Sequence, residues 1–170
     1  MNTRQKKQLA IIGILAGIAI VVAVVRIYVL QPYIIPSNSM EPTLVPGDRI
    51  LANKMAYASA SPVRGDMIVF AYPKDPSRIF VKRVLGCEGE TIEVKDNMVL
   101  INGKTIQEPY LKPGDYPPFG PEKIPEGKVF VLGDNRNESE DSRDWGLLPK
   151  DYILGKAWMI YFPFNHIKQL

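Results

Sequence analysis

The chain has 170 residues, 46% hydrophobic and 23% charged, a balance that excludes disordered and collagen-like polypeptides. One cysteine, Cys87, and one histidine, His166, allow neither an intramolecular disulfide nor a Cys/His zinc site. The +3 net charge belongs to the first 30 residues, where Arg4, Lys6, Lys7 and Arg26 meet no acid; the remainder carries 17 bases against 18 acids and lacks the basic surface that nucleic-acid binding needs.

Residues 1–8 form a basic tail, and from Leu9 to Val25 every residue is apolar or glycine. The run resumes after Arg26 as far as Leu30. At 1.5 Å per residue it spans about 26 Å uninterrupted and about 33 Å in full, enough for one transmembrane helix over residues 9–30. Arg26 near the far end can extend its charge to the headgroups. The positive-inside bias keeps the N-terminus cytoplasmic and sends residues 31–170 to the outer face. A cleaved signal peptide shares the basic start, but its apolar region is about 7 to 15 residues long and ends in a small-x-small site. This run is longer and ends Val-Val-Arg-Ile-Tyr-Val-Leu, so a retained anchor is expected.

After residue 30 the pattern changes to short β-rich segments separated by Gly, Pro and Asn: Met67 to Tyr72, Ile79 to Leu85, Thr91 to Val94, Met98 to Ile101, Val129 to Leu132 and Ala157 to Phe162. Asn102-Gly103 predicts a two-residue hairpin turn of the I′ type, because both residues tolerate positive φ. Pro113, Pro117, Pro118 and Pro121 lie between Pro109 and Pro125 and predict a surface loop rather than a strand. The expected class is mainly β with one membrane helix.

Directly after the anchor comes Ile34-Ile35-Pro36-Ser37-Asn38-Ser39-Met40-Glu41-Pro42-Thr43-Leu44, with two serines between prolines. By itself such a segment is more often a turn-rich linker than the seat of a nucleophile, and only its context can raise the second reading. A nucleophilic serine needs a base, and His166 lies four residues from the end of the sequence. A lysine is the remaining option, provided that burial lowers its pKa by about three, a differential of about 4 kcal/mol. Lys82 suits this, because strand alternation puts it on one face with Phe80 and Val84; a solvated strand lysine is the plainer reading.

Gly133 to Gly146 is dense in Asp, Asn, Arg, Glu and Ser and reads as a hydrogen-bonded loop, either a structural turn or a brace for a site. A calcium loop fails because Arg136 occupies its third place. Gly103-Lys104-Thr105 is not a P-loop, since Met98 stands where glycine is needed. G-x-S-x-G and S-x-x-K are absent, and Cys87 without a nearby histidine reads as a bystander.

Taken in order, four segments resemble the boxes of bacterial type I signal peptidases, membrane-anchored serine proteases that remove signal peptides from exported preproteins. These are Ser39-Met40-x-Pro42-Thr43, Gly65-Asp66, Lys82-Arg83-Val84, and Gly133-Asp134-Asn135-Arg136 through Asp141-Ser142-Arg143. The single anchor and short outer domain are similar to those of many Gram-positive members. The resemblance implies an antiparallel coiled-sheet β domain and a Ser-Lys dyad without metal or other cofactor. It makes Ser39 the nucleophile and Lys82 the general base. Ser37 and the Ser39 amide become the oxyanion hole, Ser139 a hydrogen-bond partner of the lysine, and Asp141 with Arg143 a supporting pair. Ile35, Pro36, Met40, Leu44, Phe80 and Val81 match pocket-lining positions that admit small residues. The implied partners are signal peptides of exported preproteins, membrane lipid and the secretion translocon. Two alternatives stay open: a Ser-Lys self-cleaving protease, and a silent membrane-anchored β module that captures peptides without cutting them.

Overall fold

The computed structural model describes residues 2–111 and 114–170. Asn2 and Gln5 open it with a reciprocal cap, each side chain accepting from the other's backbone N–H. The helix that follows, α1 (Thr3–Tyr28), exposes every side chain described along it. Among the described residues it is the one helix long and apolar enough to cross a membrane. It ends two residues before the expected boundary, because Leu30 pairs with Asn53 and opens a strand. Hydrophobicity continues across this junction, so composition could not locate it.

The rest is mainly antiparallel β. The strands are β1 (Leu30–Ile34), β2 (Arg49–Asn53), β3 (Met67–Tyr72), β4 (Asp75–Gly86), β5 (Thr91–Lys95), β6 (Met98–Ile101), β7 (Lys104–Thr105), β8 (Phe119–Lys123), β9 (Lys128–Leu132), β10 (Leu148–Pro149), β11 (Ile153–Phe162) and β12 (Lys168–Gln169). The main sheet runs β1-β2-β11-β3-β4-β9-β10 with β12 beside β11, and a smaller sheet runs β7-β6-β5-β8. A short helix, α2 (Ser142–Trp145), follows β9.

β3 explains why Met67 to Tyr72 is apolar throughout. Met67 and Val69 face one buried cluster with Met40, Leu44 and Ile50, whereas Ile68 and Phe70 face another with Val84, Val131 and Leu148. A third cluster joins the sheets: Leu85, Phe130 and Leu132 pack against Ile92, Val94, Val99, Ile101 and Ile124. Gly86 lies at this seam, where an added Cβ would stand 2.4 Å from Ile124 Cδ1.

The Asn102-Gly103 hairpin forms with both residues at positive φ, between Ile101 and Lys104. The loop expected around Pro121 needs correction, because Pro121 lies inside β8. Its missing N–H is tolerated at the edge of the smaller sheet, where the register skips from Phe119 opposite Val94 to Glu122 opposite Ile92. Pro113 of the same expected loop lies outside the described residues.

Phe130 is fully buried between the sheets. Phe130→Ala is expected to destabilise the chain by about 3–5 kcal/mol, read as a lower denaturant midpoint.

Candidate active site

Three elements converge on Ser39. β1 leads out of α1 through Ile35 and Pro36 to the serine, β4 carries Lys82, and the segment after β9 packs behind both. Lys82 Nζ lies 2.6 Å from Ser39 Oγ, although 43 residues separate them. The lysine is 3% exposed and its ammonium lies 5.5 Å from the Phe80 ring centroid, on the face that strand alternation assigned to it. Removal from water lowers its pKa to about 8, while the charges of Asp141, Glu140 and Asp134 pull the other way.

The segment after β9 approaches the serine closely. Asn135 N donates to Ser39 O at 3.0 Å. Gly133 is squeezed against the same carbonyl, where an added Cβ would stand 2.4 Å from Ser39 O and 2.1 Å from Ser139 Oγ. Glycine is therefore required here by space.

Two ion pairs with two contacts each brace the segment, beside a further buried pair of Arg136 with Glu108. Arg83 donates twice to Asp134, from Nε at 2.9 Å and Nη2 at 2.6 Å, and Thr43 Oγ1 donates to Asp134 at 2.6 Å. Arg83 also donates from Nη1 to Gly65 O at 3.0 Å, tying all four sequence boxes together. Arg143 makes a second two-point pair with the fully buried Asp141, both contacts at 2.9 Å, and donates to Arg136 O at 2.7 Å. Asp141 in turn accepts from Gly133 N at 3.1 Å. Asp141 and Arg143 thus pair with each other, and Asp141 also holds the Gly133 amide.

Ser37 Oγ lies 3.4 Å from Ser39 Oγ, on the exposed side of the serine. Ser139 departs from expectation: its Oγ is buried with no hydrogen-bond partner, so the bond to Lys82 is not formed. On either side of it Glu138 bonds Asn38 and Glu140 pairs with Arg78 at 3.0 Å. His166 binds Asp48 at 2.9 Å. Asp66 is half of a structural cluster, accepting from Tyr57 at 2.9 Å and from Lys156 at 2.6 Å.

A cleft of about 500 Å³ opens beside the pair, lined on one wall by Tyr33 to Ser37 and Met40, and on the other by Arg78 to Lys82. Of the expected pocket residues, Ile35, Pro36, Met40, Phe80 and Val81 line it. Leu44 does not, because it is fully buried in the core cluster beneath Met40. Sequence reasoning missed Tyr33, Ile34, Arg78, Ile79, Glu138 and Glu140. For Arg78 a signal existed, since it shares the face of Phe80 and Lys82 at a spacing of two, and its guanidinium sits 4.9 Å from the Phe80 ring.

Both walls have unpaired backbone. β1 ends the main sheet, and β4 meets β9 only from Arg83 onward, so among the described residues one edge of Arg78–Lys82 has no strand partner. An extended peptide can bond such edges. A hydroxyl within 2.6 Å of a desolvated amine can lose its proton to that amine once the amine is neutral.

The family profile described as "Signal peptidase, peptidase S26" matches residues 7–162. A signal peptidase I of Leptolyngbya laminosa is 43% identical over 164 residues, covering 91% of this chain and 80% of the relative. Signal peptidase I T of Bacillus subtilis (strain 168) is 40% identical over 173 residues, covering 90% and 87%. A crystal structure of a signal peptidase I from Enterococcus faecalis V583 superposes with a TM-score of 0.51 at 32% identity, covering 56% of this chain and 96% of that one.

Burial of Lys82 carries a stability cost with a defined sign. Its pKa is about 8 in the fold against 10.5 in free form, so the unfolded chain binds more protons between those values and stability rises with pH through that window. Below pH 8 the full penalty applies. Lys82→Met is therefore expected to be more stable than wild type at pH 7 by up to about 3 kcal/mol, the gap closing toward pH 10; urea unfolding at both pH values measures it.

Proposed function

The chain belongs to the signal peptidase, peptidase S26, family, and on that premise we propose that Ser39 and Lys82 are the catalytic dyad with which it cuts signal peptides from exported preproteins. The observation that carries this reading is the 2.6 Å contact between the serine hydroxyl and a buried lysine whose pKa is lowered.

Neutral Lys82 takes the Ser39 proton as Oγ attacks the scissile carbonyl carbon. The oxyanion is held by the Ser39 amide and the Ser37 hydroxyl. Collapse of the tetrahedral intermediate breaks the C–N bond, and the lysine ammonium returns its proton to the leaving amine. The signal peptide is then an ester on Ser39. A water that gives its proton to Lys82 attacks the ester and frees the serine. Gly133, Asp134, Asp141, Arg83 and Arg143 position the dyad without touching the substrate. Ser139 is assigned to the same supporting shell on the family resemblance alone.

The substrate adds as an extended strand between the two walls of the cleft, a reading supported by the unpaired edges of β1 and β4. Main-chain bonds give breadth, and the pocket of Ile35, Pro36, Met40, Phe80 and Val81 restricts the residues before the cut to small-x-small. Residues 1–8 form the cytoplasmic tail and α1 the anchor, while β1 onward forms the domain on the outer face, where signal peptides emerge; the charges of Arg4, Lys6 and Lys7 support that orientation. Membrane lipid surrounds the anchor, and the translocon that delivers preproteins is its neighbour. The intact dyad disfavours a silent capture module, and the apolar anchor disfavours a self-cleaving repressor-type protease.

A preprotein with Ala at −1 and −3, incubated with the chain in lipid, tests the dyad. Ser39→Ala and Lys82→Ala are expected to abolish turnover, and equal cleavage by all three proteins would falsify the assignment. Ser37→Ala is expected to lose about 10² to 10³ in kcat if its hydroxyl holds the oxyanion. The wild-type rate should climb as pH rises through about 8, as the lysine loses its proton. A rate that is flat from pH 6 to pH 10, by contrast, would remove Lys82 as base.

A further inference from the structure

The smaller sheet contributes nothing to the dyad or the cleft, yet the stretch that leaves it after β7 reaches the segment packed behind Ser39. Ile106 N donates to Val99 O of β6 at 3.0 Å and ties the stretch to that sheet. Two residues on, one oxygen of the Glu108 carboxylate accepts from Arg136 Nη2 and from the Tyr110 hydroxyl, the latter at 2.7 Å. The Arg136 and Glu108 side chains are 3% and 6% exposed, so their pair lies out of water. Burial, and then the carboxylate, push the Tyr110 phenol well above its usual pKa and keep it a donor. The Tyr110 ring in turn covers the Arg83 guanidinium, whose central carbon stands 4.0 Å from the ring centroid.

Glu108 therefore reaches segment 133–136 by two routes. Through Arg136, whose Nε donates to Gly133 O at 3.0 Å, it closes the segment on itself. Through Tyr110 it covers one face of Arg83, whose edge donors go to Asp134 and Gly65 O, so this planar cation is held by its edge and its face at once. Both routes end at the carbonyl of Ser39, against which Gly133 is packed and to which Asn135 N donates. We propose that Glu108 and Tyr110 are positioning residues for the reaction: from the smaller sheet they set segment 133–136 against the Ser39 carbonyl and thereby fix the backbone of the nucleophile relative to Lys82. The inference rests on the reading of Ser39 and Lys82 as the dyad. Neither residue lines the cleft, so both act on the bond-making step and not on substrate binding.

The test uses the full chain in lipid vesicles and a preprotein with Ala at −1 and −3, with kcat and KM read separately and the denaturant midpoint measured for every variant. Glu108→Gln, which keeps the shape and removes the charge, is expected to lose about 10²-fold in kcat while KM stays within about twofold of wild type, since small misplacements of reacting groups are costly. Val94→Ala opens a cavity in the cluster beneath the same sheet; it should lower the midpoint and leave kcat within about twofold. Tyr110→Leu should lose about tenfold in kcat, and Tyr110→Phe, which keeps the ring over Arg83, should recover most of it. A Glu108→Gln protein that keeps its kcat, that raises KM instead, or that loses no more kcat than Val94→Ala overturns the proposal. Should Glu108→Gln fail to fold, the Tyr110 variants decide: a Tyr110→Leu protein as fast as wild type overturns the proposal, and a Tyr110→Phe protein as slow as Tyr110→Leu overturns the route through Arg83. A wild type that does not cut the preprotein overturns the reading of the dyad as well.

Discussion

Everything around the site follows from the requirement that an amine and a hydroxyl share one hydrogen bond out of water. In water the Lys82 amine would be charged and useless as a base; at 3% exposure, against the Phe80 ring, its pKa falls to about 8. That environment cannot come from one stretch of chain. Ser39 arrives on the extension of β1, the lysine on β4, and the cover on the segment after β9. The glycine at 133 is the point of closest approach, where backbone takes the place of a side chain.

Charge near such an amine has to be handled carefully. Asp141, Glu140 and Asp134 all act to raise the lysine pKa against the desolvation that lowers it. Asp134 and Asp141 are each answered by an arginine, Arg83 and Arg143, in a two-point pair. The pairs let carboxylates brace Gly133 and Thr43 by hydrogen bonds while much of their charge is compensated locally. Removing one arginine would leave a buried carboxylate facing Lys82, so both the stability and the titration of the site depend on matched pairs.

Much of this was legible in the sequence. β3 and β6 stand at their expected bounds because their apolar runs are short and sharply ended, and the Asn102-Gly103 turn followed from backbone preference. β1 was hidden because its apolar residues continue those of the helix, and β8 because prolines argue against strands except at edges and bulges. In the site, strand alternation singled out Lys82 and the resemblance of the four boxes coupled it to Ser39, and the two side chains are in contact. Leu44 was assigned to the pocket because sequence order says nothing about depth, and it lies beneath Met40 in the core. The rim formed by Arg78, Glu138 and Glu140 depends on contacts across 62 and 100 residues, which no local pattern encodes.

An open cleft between strand edges invites pairing with any extended chain, and the protein limits this by chemistry at its walls. β1 carries Pro32 and is followed by Pro36, each lacking a donor, so one wall offers an interrupted ladder. On the other wall Arg78 is drawn over Tyr72 and Phe80 and paired with Glu140, placing charge beside the free edge of β4. A second copy of the domain, approaching with its own long side chains, meets charge and a broken ladder. A proline-broken edge on one side and a charged rim on the other thus bound the cleft beside Ser39.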